Sequence, residues 1–194
     1  MSLHVELGSA SCIARVLPAL HLDMGSPTQV ELDWLQSQGV SRKALVLPWP
    51  IGACLARLDA KTKNFDPDDA GERAITILVD DEGEPIDIAA WWPRTGKVAS
   101  CLGTAFAIGQ GAILNPATYF SGGALHVHEG PLDWLRDGRR GIVILRPELA
   151  HAYLGRRERL SFDTPKHAER VSSWLQPPRP TAKLFIRQPE ATAA

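Results

Sequence analysis

Apolar and β-branched residues concentrate in two stretches, Ala74–Val79 and Ile86–Trp91, on either side of the polar turn Asp80-Asp81-Glu82-Gly83-Glu84. Two such runs about a short glycine-bearing turn predict a β-hairpin. Val98–Leu102 and Ala105–Ile108 read as further strands of the same sheet, with Gly96 and Gly103 as turns. Upstream, Ser11–Leu22 predicts a short helix interrupted at Pro18, because an interior proline removes a helical hydrogen bond. Val30, Leu32, Trp34 and Leu35 have the spacing of an amphipathic helix ending at Gly39, and Ser41 can cap a further helix or turn. Ala53–Leu58 fits a strand or a short helix, and Lys61–Arg73, with three aspartates around Pro67, reads as a solvated loop.

The pattern changes after the Gly- and Pro-rich stretch 109–123. Leu125 and Val127 alternate with His126 and His128, Gly130-Pro131 breaks the strand and starts a helix, Gly138 stops it, and the apolar run Gly141–Leu145 follows. Pro147–Leu154 then predicts a helix, Leu160–Phe162 a strand, Pro165–Leu175 a helix and Lys183–Ile186 a last strand. The fold class is therefore α/β: a mixed-sheet α+β part over residues 1–115, a parallel-sheet α/β part over 116–188, and a disordered tail over 189–194. Short connections of this kind favour adjacent parallel strands, so those holding Val127, Ile144 and Phe162 should be neighbours.

Composition narrows the functional classes. Hydrophobic residues make up 44% and charged residues 22%, and the net charge of −1 supplies no overall attraction to nucleic acid or anionic lipid. Any such contact must come from a local patch. Cys12, Cys54 and Cys101 form no C-x-x-C pair, which argues against a disulfide framework or a cysteine-rich zinc site. No apolar run is long enough to span a bilayer and the first residues do not read as a signal peptide, so no membrane partner and a cytoplasmic location are expected.

Glu129 falls at the carboxyl end of a strand, where open α/β sheets gather ligands, and Asp133 four residues on adds a second carboxylate able to hold a hard cation. His126 and His128 share one strand face; they can chelate a transition metal with Glu129 nearby, or simply form the polar face of an edge strand. Arg139-Arg140 and Arg156-Arg157 with Arg159 are the densest basic groups and can track phosphates if they surround one crevice. Trp34, Trp134 and Trp174 sit among leucines and read as core. Trp91 and Trp92 point to opposite sheet faces, so one ring, taken as Trp92, is expected near the surface to stack on a base.

The turn Glu129-Gly130-Pro131-Leu132-Asp133 resembles the E-G-x-x-D turn of the Toprim domain of bacterial primases and type IA topoisomerases. The order of elements also resembles the core of replicative primases and related proteins of phages and other mobile elements. Trp34–Ser41 is similar to their Y-L-x-x-R-G turn, with Gln38 in place of the basic residue; Ile77–Trp91 is similar to their strand–hairpin–strand; and Leu160–Pro165 is similar to the strand that ends in acids. The resemblance implies catalytic roles for Glu129, Asp133 and Asp163 and Mg²⁺ held by Glu129 and Asp163, for nucleotidyl or phosphoryl transfer. It also implies a single-stranded nucleic acid or a replication-type protein as partner, with Arg139, Arg140, Arg156, Arg157, Arg159 and Trp92 as the contacts. Pro165, however, stands where the second acid of a D-x-D pair belongs, and two-metal chemistry needs every ligand in place. The expectation is thus a non-catalytic Toprim-related protein with a degenerate site and no retained cofactor. The alternative is a small protein-binding or assembly module that touches neither metal nor nucleic acid.

Overall fold

The structure, a computed structural model, describes residues 10–177 apart from 60, 63 and 158; the expected strand Lys183–Ile186 and the tail 189–194 lie outside the described residues. Helix α1 (Ala10–Asp23) runs through Pro18 without the expected interruption. Its Leu17 is buried against the sheet described next, and that packing outweighs one missing backbone hydrogen bond. Helix α2 (Gln29–Ser37) starts at a reciprocal cap: the Thr28 hydroxyl accepts from the Glu31 N–H while the Glu31 carboxylate accepts from the Thr28 N–H. Helix α3 (Arg42–Val46) is capped by Ser41, whose hydroxyl accepts from Ala44 N–H at 3.2 Å.

Strands β1 (Gly52–Leu58), β2 (Phe65–Pro67), β3 (Glu72–Asp81), β4 (Glu84–Trp92) and β5 (Lys97–Ser100) form an antiparallel sheet in the order β2-β1-β3-β4-β5. The β3–β4 hairpin is the expected one. Its two turn residues, Glu82 and Gly83, have φ of 51° and 88°, the doubly left-handed turn whose twist matches the strands it joins. The 61–73 stretch is not wholly a solvated loop. Phe65 is fully buried while its neighbour Asp66 faces out, so three residues of alternating character suffice for an edge strand.

This sheet is covered on both faces. Ile75, Ile77, Val79, Ala89 and Trp91 pack with Leu35 and Leu45 on one side, and Ala74, Leu78, Ile88, Ala90 and Trp92 pack with Leu17 and Phe65 on the other. Trp91 and Trp92 do point to opposite faces, yet each is only 4% exposed. The expected exposed ring at Trp92 is therefore absent: its indole N–H donates to the Glu72 carbonyl and its ring meets Phe65 edge-on. Trp34, expected in the core, is instead 37% exposed on the outer side of Trp91.

The chain continues as β6 (Ala107–Ile108), α4 (Pro116–Tyr119), β7 (Leu125–His128), α5 (Pro131–Arg136), β8 (Ile142–Ile144), α6 (Ala150–Leu154), β9 (Leu160–Phe162) and α7 (Pro165–Trp174). The second sheet has the order β6-β8-β7-β9. Strands β8, β7 and β9, which hold Ile144, Val127 and Phe162, are neighbours and parallel, as expected. The sheet is nevertheless mixed, because β6 joins β8 antiparallel instead of extending the hairpin sheet. At the turn between the two sheets stands Asp87 of β4. Its buried carboxylate accepts from the backbone N–H groups of Cys101, Leu102, Thr104 and Ala105, where the chain turns away from β5 and passes to the second sheet. Ile108, Trp134, Leu135 and Val143 then share one core with the first sheet. Among the described residues no helix is long and apolar enough to cross a membrane.

Buried His21 makes stability pH-dependent. It is 2% exposed, and burial holds its pKa below the ordinary 6.5. The folded state thus binds fewer protons than the unfolded one just below pH 6.5, so stability is complete above that pH and is lost as pH falls through the lowered folded value. Urea midpoints should drop between about pH 7 and pH 5, with a shallower drop in His21→Gln; equal slopes for the two proteins would rule this group out as the cause.

Candidate metal centre

Three elements build the site. In β7, Leu125 and Val127 are fully buried in the second sheet's core, so His126 and His128 share its opposite face. Strand β7 lies in the middle of the sheet, so these histidines are not the polar face of an edge strand. The parallel pairing with β9 sets His126 opposite Ser161 and Val127 opposite Phe162, which carries Asp163, the next residue of the chain, to the level of His128. Thr164 caps α7: its hydroxyl accepts from His167 N–H at 3.1 Å. The Asp163 carboxylate is left to face the imidazoles.

The geometry is specific. His126 Nδ1 lies 2.9 Å from Ser161 Oγ and its Nε2 lies 3.0 Å from Asp163 Oδ1. His128 Nε2 lies 2.8 Å from the Arg140 carbonyl oxygen, which can only accept, so the proton of the neutral ring sits on Nε2. Its Nδ1 is then a bare lone pair, buried, without a hydrogen-bond partner and 3.9 Å from Asp163 Oδ2. Burial, with a smaller effect from the neighbouring His126, lowers the His128 pKa and favours this neutral ring. One donor atom from each of His126, His128 and Asp163 falls within 4.8 Å of the others. Tetrahedral bonds of about 2.1 Å would set such donors roughly 3.4 Å apart, a spacing inside that 4.8 Å span.

These groups line an open crevice of about 520 Å³ whose rim holds Asp133, Arg136 and Asp137. It lies between β7 and β9 at their carboxyl ends. The connection from β7 leads to β8 on one side, and the chain then crosses over to β9 on the other, which makes this the switch point where α/β sheets place ligands. Two imidazoles and a carboxylate on one side of such a crevice suit a divalent transition metal with coordination positions left open.

The remaining expected site residues are dispersed. Glu129 occupies the turn after β7, but its exposed carboxylate pairs with Arg170 of α7 at 2.9 Å and is not one of the three clustered groups. Asp133 reaches the crevice rim, paired with Arg136 at 3.1 Å. Arg139 is not a surface contact. Its backbone is left-handed, and its guanidinium turns inward over the Trp134 ring to donate to the Ala44 carbonyl, where burial pulls its pKa down to about 10. Arg140 is exposed and paired with Asp137. Arg156, Arg157 and Arg159 gather elsewhere, beside Gly122 and Gly123.

The histidine pair was legible from its spacing. Asp163 was expected as a metal-holding acid from the Toprim resemblance, but its pairing with the histidines was not legible, because it reaches them only through the register of β9. Ser161 carries the one local signal that could have revealed it, since Ser161-Phe162-Asp163 repeats the polar-apolar-polar step of His126-Val127-His128. Compared with protein-family models, with curated proteins and with solved structures, the chain finds no match.

Proposed function

We propose that this protein binds one divalent transition metal through His126, His128 and Asp163, and that it serves nucleic-acid metabolism as a Toprim-related protein without two-metal phosphoryl transfer. The observation that carries the metal reading is the His128 ring. Its Nε2–H is anchored on the Arg140 carbonyl, and its buried Nδ1 is aimed at a carboxylate and a second imidazole with no partner of its own. Histidine ligands are ordinarily fixed in this way, by a hydrogen bond from the ring nitrogen remote from the metal. Ser161 does the same for His126, holding Nδ1 so that Nε2 faces the crevice.

The Toprim relationship is supported by layout: an acid follows the central parallel strand, another follows its neighbour β9, and the second of these lines the crevice. Against two-metal chemistry stand the pairing of Glu129 with Arg170 and the proline at position 165. Mg²⁺ prefers oxygen ligands in octahedral array, whereas the clustered donors here are two nitrogens and one carboxylate.

Calorimetric titration of the chelator-treated protein with Zn²⁺ and Co²⁺ tests the reading. Binding of one ion per chain is expected. Ser161→Ala should weaken it about 10- to 100-fold, as losses of such supporting hydrogen bonds do, while His128→Ala should remove it. Absence of binding by the native chain would instead favour an assembly module without metal.

A further inference from the structure

At the opposite end of β7 and β9 lies a cavity of about 470 Å³ lined by Tyr119, Gly122, Gly123, Arg156, Arg157 and Arg159. From it we infer a second site, independent of the metal centre, that binds the phosphate group of a nucleotide. Arg156 and Arg157 follow α6, and Arg159 immediately precedes β9, so the two loops at the amino ends of β7 and β9 bring three guanidinium groups to one concavity. Among the described residues no carboxylate lines it.

The cavity is built rather than incidental. Arg159 is held in place by donating to the Gly122 carbonyl at 2.9 Å. Gly122 has φ of 82°, a left-handed backbone that favours glycine in this turn. Arg157 supplies the observation that points to a ligand. Its Nε is buried and makes no hydrogen bond. A buried donor on a charged group left without an acceptor is costly. Arg157 also lines the cavity, and the planar fork of an arginine is matched by phosphate oxygens. Phe120, two residues before Gly122 in the same turn, is 80% exposed, the disposition of a ring on which a base can stack. The cavity volume is that of a small-ligand site.

Two sources carry this chemistry: a free nucleotide, or a phosphate of a single strand. Fluorescence or calorimetric titration with inorganic phosphate, AMP and a short oligothymidylate separates them. AMP displaced by inorganic phosphate identifies a mononucleotide pocket. Oligothymidylate binding that AMP does not displace, with a salt slope, identifies a single-strand track. In either case Arg157→Ala should weaken binding about tenfold or more, Arg157→Lys should restore only part of it, and Phe120→Ala should weaken AMP or oligothymidylate but not inorganic phosphate. The melting temperature of each variant is measured alongside, and lost binding in an Arg157→Ala or Arg157→Lys protein that melts like the native chain separates loss of a site from loss of fold. The inference fails if none of the three probes binds, or if binding survives unchanged in the Arg156→Ala/Arg157→Ala protein. Neither outcome bears on the metal centre, whose residues stand on one face of β7 and directly after β9.

Discussion

Replacing Asp87 with alanine should cost this protein more stability than any other single change in the hairpin sheet, about 4 kcal/mol or more. The side chain is fully buried, and its two oxygens accept from five backbone N–H groups, those of Ile88, Cys101, Leu102, Thr104 and Ala105, at 2.8–3.1 Å. Hydrogen bonds to a charged acceptor are each worth about 1.5–3 kcal/mol, and alanine would take the acceptor from buried donors such as the Ala105 N–H, although the Cys101 N–H keeps its 2.8 Å bond to the Ile88 carbonyl. The contributions do not add fully, because the loop can open and let water reach some of them. For a chain of this size the change should lower the melting temperature by roughly 10–15 °C. Asparagine should fall between the two, since its NH₂ group must face donors at one of the two oxygen positions. Amide exchange locates the effect: protection should vanish first at Ala105–Ile108, where the loop passes into β6. A loss below about 1 kcal/mol would mean that the loop is held by its own packing and that Asp87 merely accompanies it.

The same residue shows why part of the fold was hidden in the sequence. Asp87 stands in an apolar strand with nothing to distinguish it from a solvent-facing acid, and its partners lie 14 to 18 residues on. The apolar run Ala105–Ile108 therefore read as one more strand of the hairpin sheet. By contrast, the hairpin, the caps and the β7-α5-β8 unit were legible, because each depends on residues within a few positions of one another: Glu82 with Gly83, Ser41 with Ala44, Gly130 with Pro131. Burial on both faces of a sheet is not a local property, so Trp92 read as exposed although α1 and Phe65 cover it. Arg139 misled for a related reason. Beside Arg140 it looks like half of a basic patch, but the left-handed backbone that follows Gly138 turns its side chain into the gap between α5 and α3. At the candidate site, alternation exposed the histidines, while the choice between Glu129 and Asp163 as their companion was decided by Arg170 and by the register of β9.

That choice makes a sharp prediction about metal selectivity. Zn²⁺ should raise the melting temperature of the metal-free protein and millimolar Mg²⁺ should not. An ion that binds only the folded chain stabilises it by about 4 kcal/mol at a thousandfold excess over its dissociation constant, which for this length corresponds to roughly 10 °C. Two imidazole nitrogens and one carboxylate favour the transition ion over Mg²⁺, and the open crevice leaves room for water to complete its shell. Glu129→Gln should leave the Zn²⁺ response intact. It removes only an exposed ion pair with Arg170, worth at most about 1 kcal/mol. His128→Ala and Asp163→Ala should each abolish the response; the metal-free melting temperature should change little in Asp163→Ala, where the side chain is half exposed, and fall in His128→Ala, which also removes the buried Nε2–H bond to the Arg140 carbonyl. The reverse pattern, a Mg²⁺-dependent rise that disappears in Glu129→Gln and survives in His128→Ala, would return the metal to the acidic pair of the Toprim turn. It would make phosphoryl transfer the leading reading, because Glu129 would then have to leave Arg170 whenever the ion arrives.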